Sequence, residues 1–206
     1  MELEMKELRK SDYKKVIQFA IEGMHFNWYM KNKIVLDMYG RYFLYLEMLK
    51  ATHIIAAYYG DELAGVLMCE MKGREPKQHS FWKSCYVKIM DFIQKTFVKD
   101  GVSAYDEANK KMLEEFKKTN EPDGEIVLLA ANPKIKVKGI GTFLLHELEK
   151  KEVGKQIYLY TDTGCTYQFY EKRGFDRVGE IPVSLKIGKN RADITCLLYS
   201  KTLGDR

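Results

Sequence analysis

A chain of 206 residues, set against roughly 150 per domain, points to one domain with embellishment or two small ones. With 46% hydrophobic and 31% charged residues and only 15 Gly and 4 Pro, it is not disordered, collagen-like or of low complexity; no apolar run exceeds the six residues of 54–59 or 126–131, far short of the roughly 20 a membrane span needs. The net charge of +5, from 34 bases and 29 acids, is explained by a solvated surface as well as by a polyanionic partner, so neither nucleic acid nor membrane is expected as a partner.

In chain order, residues 2–8 alternate as a short strand, and Ser11 reads as the N-cap of a helix carrying Tyr13, Val16, Ile17, Ala20 and Ile21 on one face. A second helix is expected over about 35–50, with Leu36, Tyr39, Tyr42, Phe43 and Leu46 as its core stripe. Two β-type runs between His53 and Lys72, split by Gly60, Asp61 and Glu62, predict a hairpin. Residues 73–123 change to helical periodicity, and their nearly balanced charge favours a packed helical pair over a nucleic-acid arm. The last third alternates: a buried strand at 125–131, a helix at 139–152, a strand at 156–161, a helix at 165–173 stopped by Gly174, and a final hairpin across Gly188, Lys189 and Asn190. No repeat or flexible linker marks a domain boundary.

The start, MELEMKELRK, interleaves charges where a signal peptide would be apolar, which predicts a cytoplasmic location. Cys69, Cys85, Cys165 and Cys196 form no CxxC pair, and His25, His53, His79 and His146 form no HxxxH or HExxH, so buried free thiols and no metal are expected. His146 lies off its helix's apolar stripe and reads as surface. Cys165, near a helix start, is a candidate for a lowered thiol pKa, with simple packing the favoured reading.

The most informative stretch is NPKIKVKGIGTFLLHELEK, where a buried strand leads through a basic turn to glycines at a helix opening. Helix N-termini present unpaired N–H groups and partial positive charge, glycine admits a phosphate close to the backbone, and Lys134, Lys136 and Lys138 add cations. A phosphorylated ligand is implied, against the plainer alternative that the glycines serve only a tight turn. Leu144 stands where a dinucleotide fingerprint needs its third glycine, and no GxxxxGK[ST] string occurs.

At this point the sequence resembles the GCN5-related N-acetyltransferase (GNAT) family. Its Arg/Gln-x-x-Gly-x-Gly/Ala hallmark is matched in spacing by Lys136, Val137, Lys138, Gly139, Ile140 and Gly141, with Lys in place of Arg or Gln and Pro133 ahead of the motif. Downstream, Tyr170, Gly174 and Phe175 match the family's pattern, while Thr163 and Thr166 stand where an Asn and an Ala are usual. The resemblance covers the chain except about 73–123 and implies an α/β (α+β) fold: a mixed central sheet, largely antiparallel with one splayed parallel pair, flanked by helices, in a single domain over 1–206 with a helical insertion.

The same resemblance implies acetyl-CoA as co-substrate and an amine acceptor whose identity no segment specifies. The pyrophosphate would sit on the backbone of 137–142, from Val137 to Thr142, with Lys136 and Lys138 beside it and Thr163 near the pantetheine arm. The thioester carbonyl would meet the N–H of Leu129 or Ala131, and Tyr170 would protonate the departing thiolate. An ammonium acceptor must lose a proton; Glu125 and Asp162 are candidate bases, with a solvated strand end and a helix N-cap as their plainer readings. Phe81, Trp82, Tyr86, Phe92, Phe97 and Tyr105 of the insertion are expected to cover or border the acceptor site, with dimer contact or core packing as rivals; a monomer or homodimer is expected. The alternative function is a noncatalytic acyl-CoA-binding module of the same fold.

Overall fold

The computed structural model describes residues 2–30, 32–97, 104–187 and 190–204. Strand β1 (Leu3–Lys6) leads through a 3₁₀ turn (Lys10–Asp12) into helices α1 (Tyr13–Gly23), α2 (Phe26–Tyr29) and α3 (Lys33–Lys50). The hairpin β2 (His53–Tyr59) and β3 (Glu62–Met71) turns at Gly60, whose φ of +62° suits glycine. Helices α4 (Phe81–Phe97) and α5 (Ala104–Phe116) follow, then β4 (Gly124–Ala131), α6 (Ile140–Lys151), β5 (Gln156–Asp162), α7 (Gln168–Glu171), β6 (Asp176–Ile187) and β7 (Asn190–Thr202).

The seven strands form one sheet in the order β1-β2-β3-β4-β5-β7-β6, antiparallel except for the parallel pair β4–β5. Side chains alternate across a strand, so the sheet has two differently covered faces. On one, Ile140, Leu144, Leu145 and Leu148 of α6 pack against Leu67, Ile126, Ile157 and Leu159, with α7 at the margin. On the other, α1 and α3 cover β2 to β4 through Val16, Ala20, Leu44 and Met48, and α5 covers β5 to β7 through Ala108, Met112 and Phe116.

Several expectations are corrected. Ser11 does not cap α1: the 3₁₀ turn starts the helix, and Asp12 beside it is buried, accepting from the Tyr58 hydroxyl at 2.9 Å and pairing with Arg9 and Lys15. In α3 the buried positions are Gly40, Leu44, Glu47 and Met48, while the expected aromatic stripe is only half-buried. The expected helix over 165–173 shrinks to the single turn of α7, because the chain first closes a tight turn on Asp162. In α4, Phe81, Trp82 and Phe92 stand largely exposed, which sets core packing aside for these three aromatics of the insertion; the Tyr86 hydroxyl donates to Met38 O. The Phe97 side chain and the final turn at Gly188 and Lys189 lie outside the described residues.

Candidate active site

The strands β4 and β5 share only two register pairs, Gly124↔Ile157 and Glu125↔Tyr158, and then part. A bulge in the β3–β4 ladder starts at the same level, where Met68 faces Leu128 but Cys69 faces Ile126, leaving Val127 as the extra residue. A bulge bends its strand and ends regular pairing. The sheet is therefore open between the C-terminal halves of β4 and β5, flanked by α6 on one face and by α3 and α5 on the other.

On the first face, α6 begins behind Gly139, whose φ of +87° is readily adopted only by glycine. No side chain caps the helix, so the N–H groups of Ile140, Gly141 and Thr142 find no acceptor among the described residues. Asn132, 5% exposed, anchors the preceding turn: its Nδ2 donates to Leu63 O and its Oδ1 accepts the Lys134 N–H at 3.0 Å. Lys134, Lys136 and Lys138 are exposed along that turn. Arg173, which the sequence reading passed over, donates to Thr142 Oγ1 at 2.6 Å and lies over the Phe169 ring, adding a further cation at the helix end. Free N–H groups, a helix dipole and these cations suit a pyrophosphate. Gly141 has a second use, because a Cβ there would lie 2.8 Å from Phe169 Cζ; its missing side chain lets α7 pack on α6.

Tyr170 lies on the same face, its ring packed near Phe169, Phe175 and Tyr199. Its hydroxyl makes no hydrogen bond among the described residues, and burial raises its pKa, so it stays protonated at neutral pH. Leu129 packs toward α6 and Ala131 is exposed at the end of β4.

Glu125 occupies the apex of the opening on the opposite face. It is half-buried and accepts the Tyr158 hydroxyl at Oε2, 2.8 Å away. Burial raises its pKa, the Tyr158 bond lowers it, and Glu70 raises it further. Asp162, at the far end of β5, is no helix cap: Oδ1 accepts the Gly164 N–H at 2.7 Å and Oδ2 the Tyr105 hydroxyl at 3.1 Å. Tyr105 is thus the insertion aromatic that reaches the opening. Thr163 is held by β7, its Oγ1 accepting the Thr195 N–H at 3.0 Å. Gly164 O lies 3.0 Å from His25 Nε2, and Cys165 Sγ 3.4 Å from Gly23 O, so the α1–α2 connection borders the mouth. The Cys165 thiol is pushed up to about 11 by burial and by Asp162, the reverse of the lowering considered from sequence. His146 is exposed.

Among the described residues, no group of three or more His, Cys, Asp or Glu side chains is placed to hold a metal ion, and no helix is long and apolar enough to cross a membrane.

No family model and no curated protein matches the sequence. Solved structures do match in shape. The histone acetyltransferase HPA2 and related acetyltransferase of Corynebacterium glutamicum is 14% identical with a TM-score of 0.57, covering 100% of this chain and 99% of its own. PaiA N-acetyltransferase of Thermoplasma acidophilum, in complex with coenzyme A, is 17% identical with a TM-score of 0.51, covering 98% and 99%. A Desulfovibrio desulfuricans protein described as an acetyltransferase of the GNAT family is 15% identical with a TM-score of 0.51, covering 98% and 100%. The chain has the GNAT fold.

Proposed function

We propose that residues 1–206 act as a single domain, with α4 and α5 inserted, that moves an acetyl group from acetyl-CoA to a primary amine by direct attack in a ternary complex. The observation that carries this reading is the parting of β4 and β5 after Glu125, beside the uncapped N-terminus of α6.

The backbone of 137–142 holds the pyrophosphate, with Lys136, Lys138 and Arg173 around it. The pantetheine arm lies in the opening past Thr163. Bound acetyl-CoA supplies a thioester whose carbonyl carbon is the electrophile. The N–H of Leu129 or Ala131 stabilises the negative charge that develops on the carbonyl oxygen. Glu125 accepts the ammonium proton; the two bonds already made to Asp162 favour Glu125 over it as base. Tyr170 donates a proton to the leaving thiolate and regains one through solvent as the nitrogen, on becoming an amide, sheds its second proton. Base and acid sit on opposite faces of the sheet, which suits an amine and a thioester that approach the opening from opposite sides.

The second reading, a noncatalytic acyl-CoA-binding module, draws on Lys136 and Thr163 at motif positions and on the engagement of Thr163 by β7. Free-thiol detection on adding a panel of amines to protein and acetyl-CoA separates the two. Release of coenzyme A supports transfer; binding without release supports the module.

A further inference from the structure

Helix α4 is fixed by one side and apolar on the other as well. Lys83, Val87, Met90 and Gln94, spaced 4-3-4, turn toward α3: Val87 and Met90 are buried, Lys83 Nζ lies 3.8 Å from Met48 Sδ, and Gln94 acts on Tyr42. Between them the Tyr86 ring meets Tyr45 edge-on at 5.5 Å, and the Tyr42 hydroxyl donates to Asp91 Oδ1 at 2.7 Å. The opposite side carries Trp82, Cys85, Ile89 and Phe92, spaced 3-4-3, with Phe81 at its start. Phe81, Trp82, Ile89 and Phe92 are 60% to 80% exposed. A helix apolar on all sides is ordinarily buried on all sides.

The size of this face matches what a pair of copies needs. At roughly 200 Å² for a whole aromatic side chain, the rings of Phe81, Trp82 and Phe92 present about 450 Å². Doubled across a two-fold axis that is about 900 Å², over half of the roughly 1,600 Å² of a standard stable interface. Ile89 and Ile93 add to it, and so do Ile34 and Met38: α3 runs antiparallel to α4, with Met48 beside Lys83 and Tyr42 beside Asp91, which brings the exposed start of α3 to the Phe92 end.

The pattern also selects the occupant. A 3-4-3 spacing is the seam of one helix against another. A membrane-surface helix instead backs its apolar face with a charged one, and the back of α4 is packed on α3. Within 81–93 the outward side holds one charge, Lys88, so two copies face each other with little like-charge repulsion. Antiparallel copies with their axis at the level of Val87 set Trp82 of one opposite Phe92 of the other, and the small Cys85 opposite Ile89. Phe81 and Trp82 already hold each other edge-on at 5.7 Å, an aromatic anchor formed before association.

We propose that the outward side of α4 is the interface of a homodimer, in which two α4 helices pack antiparallel about a two-fold axis. The proposal stands apart from the acetyltransferase reading above.

Light scattering on size-exclusion fractions over a dilution series tests this. The native protein is expected to be a dimer that dissociates on dilution. Trp82→Lys and Ile89→Lys place a charge in the seam twice over, and each should raise the dimer dissociation constant at least about thirtyfold, the scale of one hot-spot side chain. Val153→Lys, at a comparably exposed apolar residue after α6, should leave it unchanged. Far-UV circular dichroism checks that each variant is folded. If either is not, a short bis-maleimide on the native protein decides: dimers bridged through Cys85 support the inference, and dimers not bridged there overturn it. A native protein monomeric at every concentration, or a dimer indifferent to both lysines, also overturns it. A monomer that floats with phosphatidylserine vesicles, and ceases to in Trp82→Lys, overturns it in favour of a membrane surface.

Discussion

The Tyr158 hydroxyl donates to Glu125 Oε2 at 2.8 Å at the last register pair that β4 and β5 share. The bond therefore sits where the sheet begins to open, and it stabilises the ionised form of a carboxyl whose pKa burial raises. A base acts only when deprotonated, so kcat should fall on the acid side with an apparent pKa above the ordinary glutamate range. Glu125→Gln should lower kcat by about 10²- to 10⁴-fold and abolish that limb. Tyr158→Phe removes the stabilising donor and should move the limb to higher pH. A pH–rate profile checks both, and a limb that moves to lower pH in Tyr158→Phe contradicts the assignment.

Glu47 carries a stability prediction of definite sign. Its pKa is raised from 4.5 to about 7, mainly by burial. Between those values the folded state holds a proton that the unfolded state has released, so stability falls as pH rises through this window and the whole loss is present above about 7. Glu47→Gln should therefore be more stable than the native chain above pH 7, by on the order of 2 kcal/mol. The gain should vanish below the unfolded pKa. Urea melts across the pH range measure it, and a gain independent of pH would show that charge is not its cause.

The cations around the α6 N-terminus should act additively on coenzyme A. Lys136→Ala, Lys138→Ala and Arg173→Ala should each weaken binding about two- to fivefold, the range of an exposed charge contact, and less at high salt. Calorimetric titration with coenzyme A reads this directly. Unchanged affinity in the triple variant would remove the anion site from this turn.

Tyr170→Phe keeps the ring packed against Phe175 and Tyr199 and deletes only the hydroxyl. Because a coenzyme A thiolate is already a competent leaving group, kcat should drop roughly ten- to a hundredfold, the weak end of general acid catalysis, with acetyl-CoA affinity nearly unchanged. Steady-state kinetics where chemistry limits turnover decide the point. An unchanged kcat leaves Tyr170 as a packing residue.

Much of this fold was legible because its periodicities are strong. The runs at 54–59 and 126–131 read as buried strands and the stripe of Ile140, Leu144 and Leu148 as a helix face, each because burial of that pattern drives the element. The α7 region misled because its helical tendency loses to a turn built on Asp162, a side-chain-to-backbone bond that periodicity does not register. The exposure of the α4 aromatics was not legible either: amphipathic spacing marks a face, not what covers it. Of the proposed site, Lys136 to Thr142 and Tyr170 entered through the family resemblance. The approach of Glu47, Glu70 and Tyr158 to Glu125 was not legible, because it arises from tertiary register, where distant segments meet. Arg173 was hidden for the same reason, its partner Thr142 lying 31 residues away.

The most direct test of the account is to mix the protein with acetyl-CoA and a panel of primary amines, then follow free thiol and the mass of each amine together. The account predicts release of coenzyme A matched by an N-acetylated amine, with both signals greatly reduced in Glu125→Gln. Acetyl-CoA that binds but yields neither thiol nor acetylated product with any amine of the panel contradicts it.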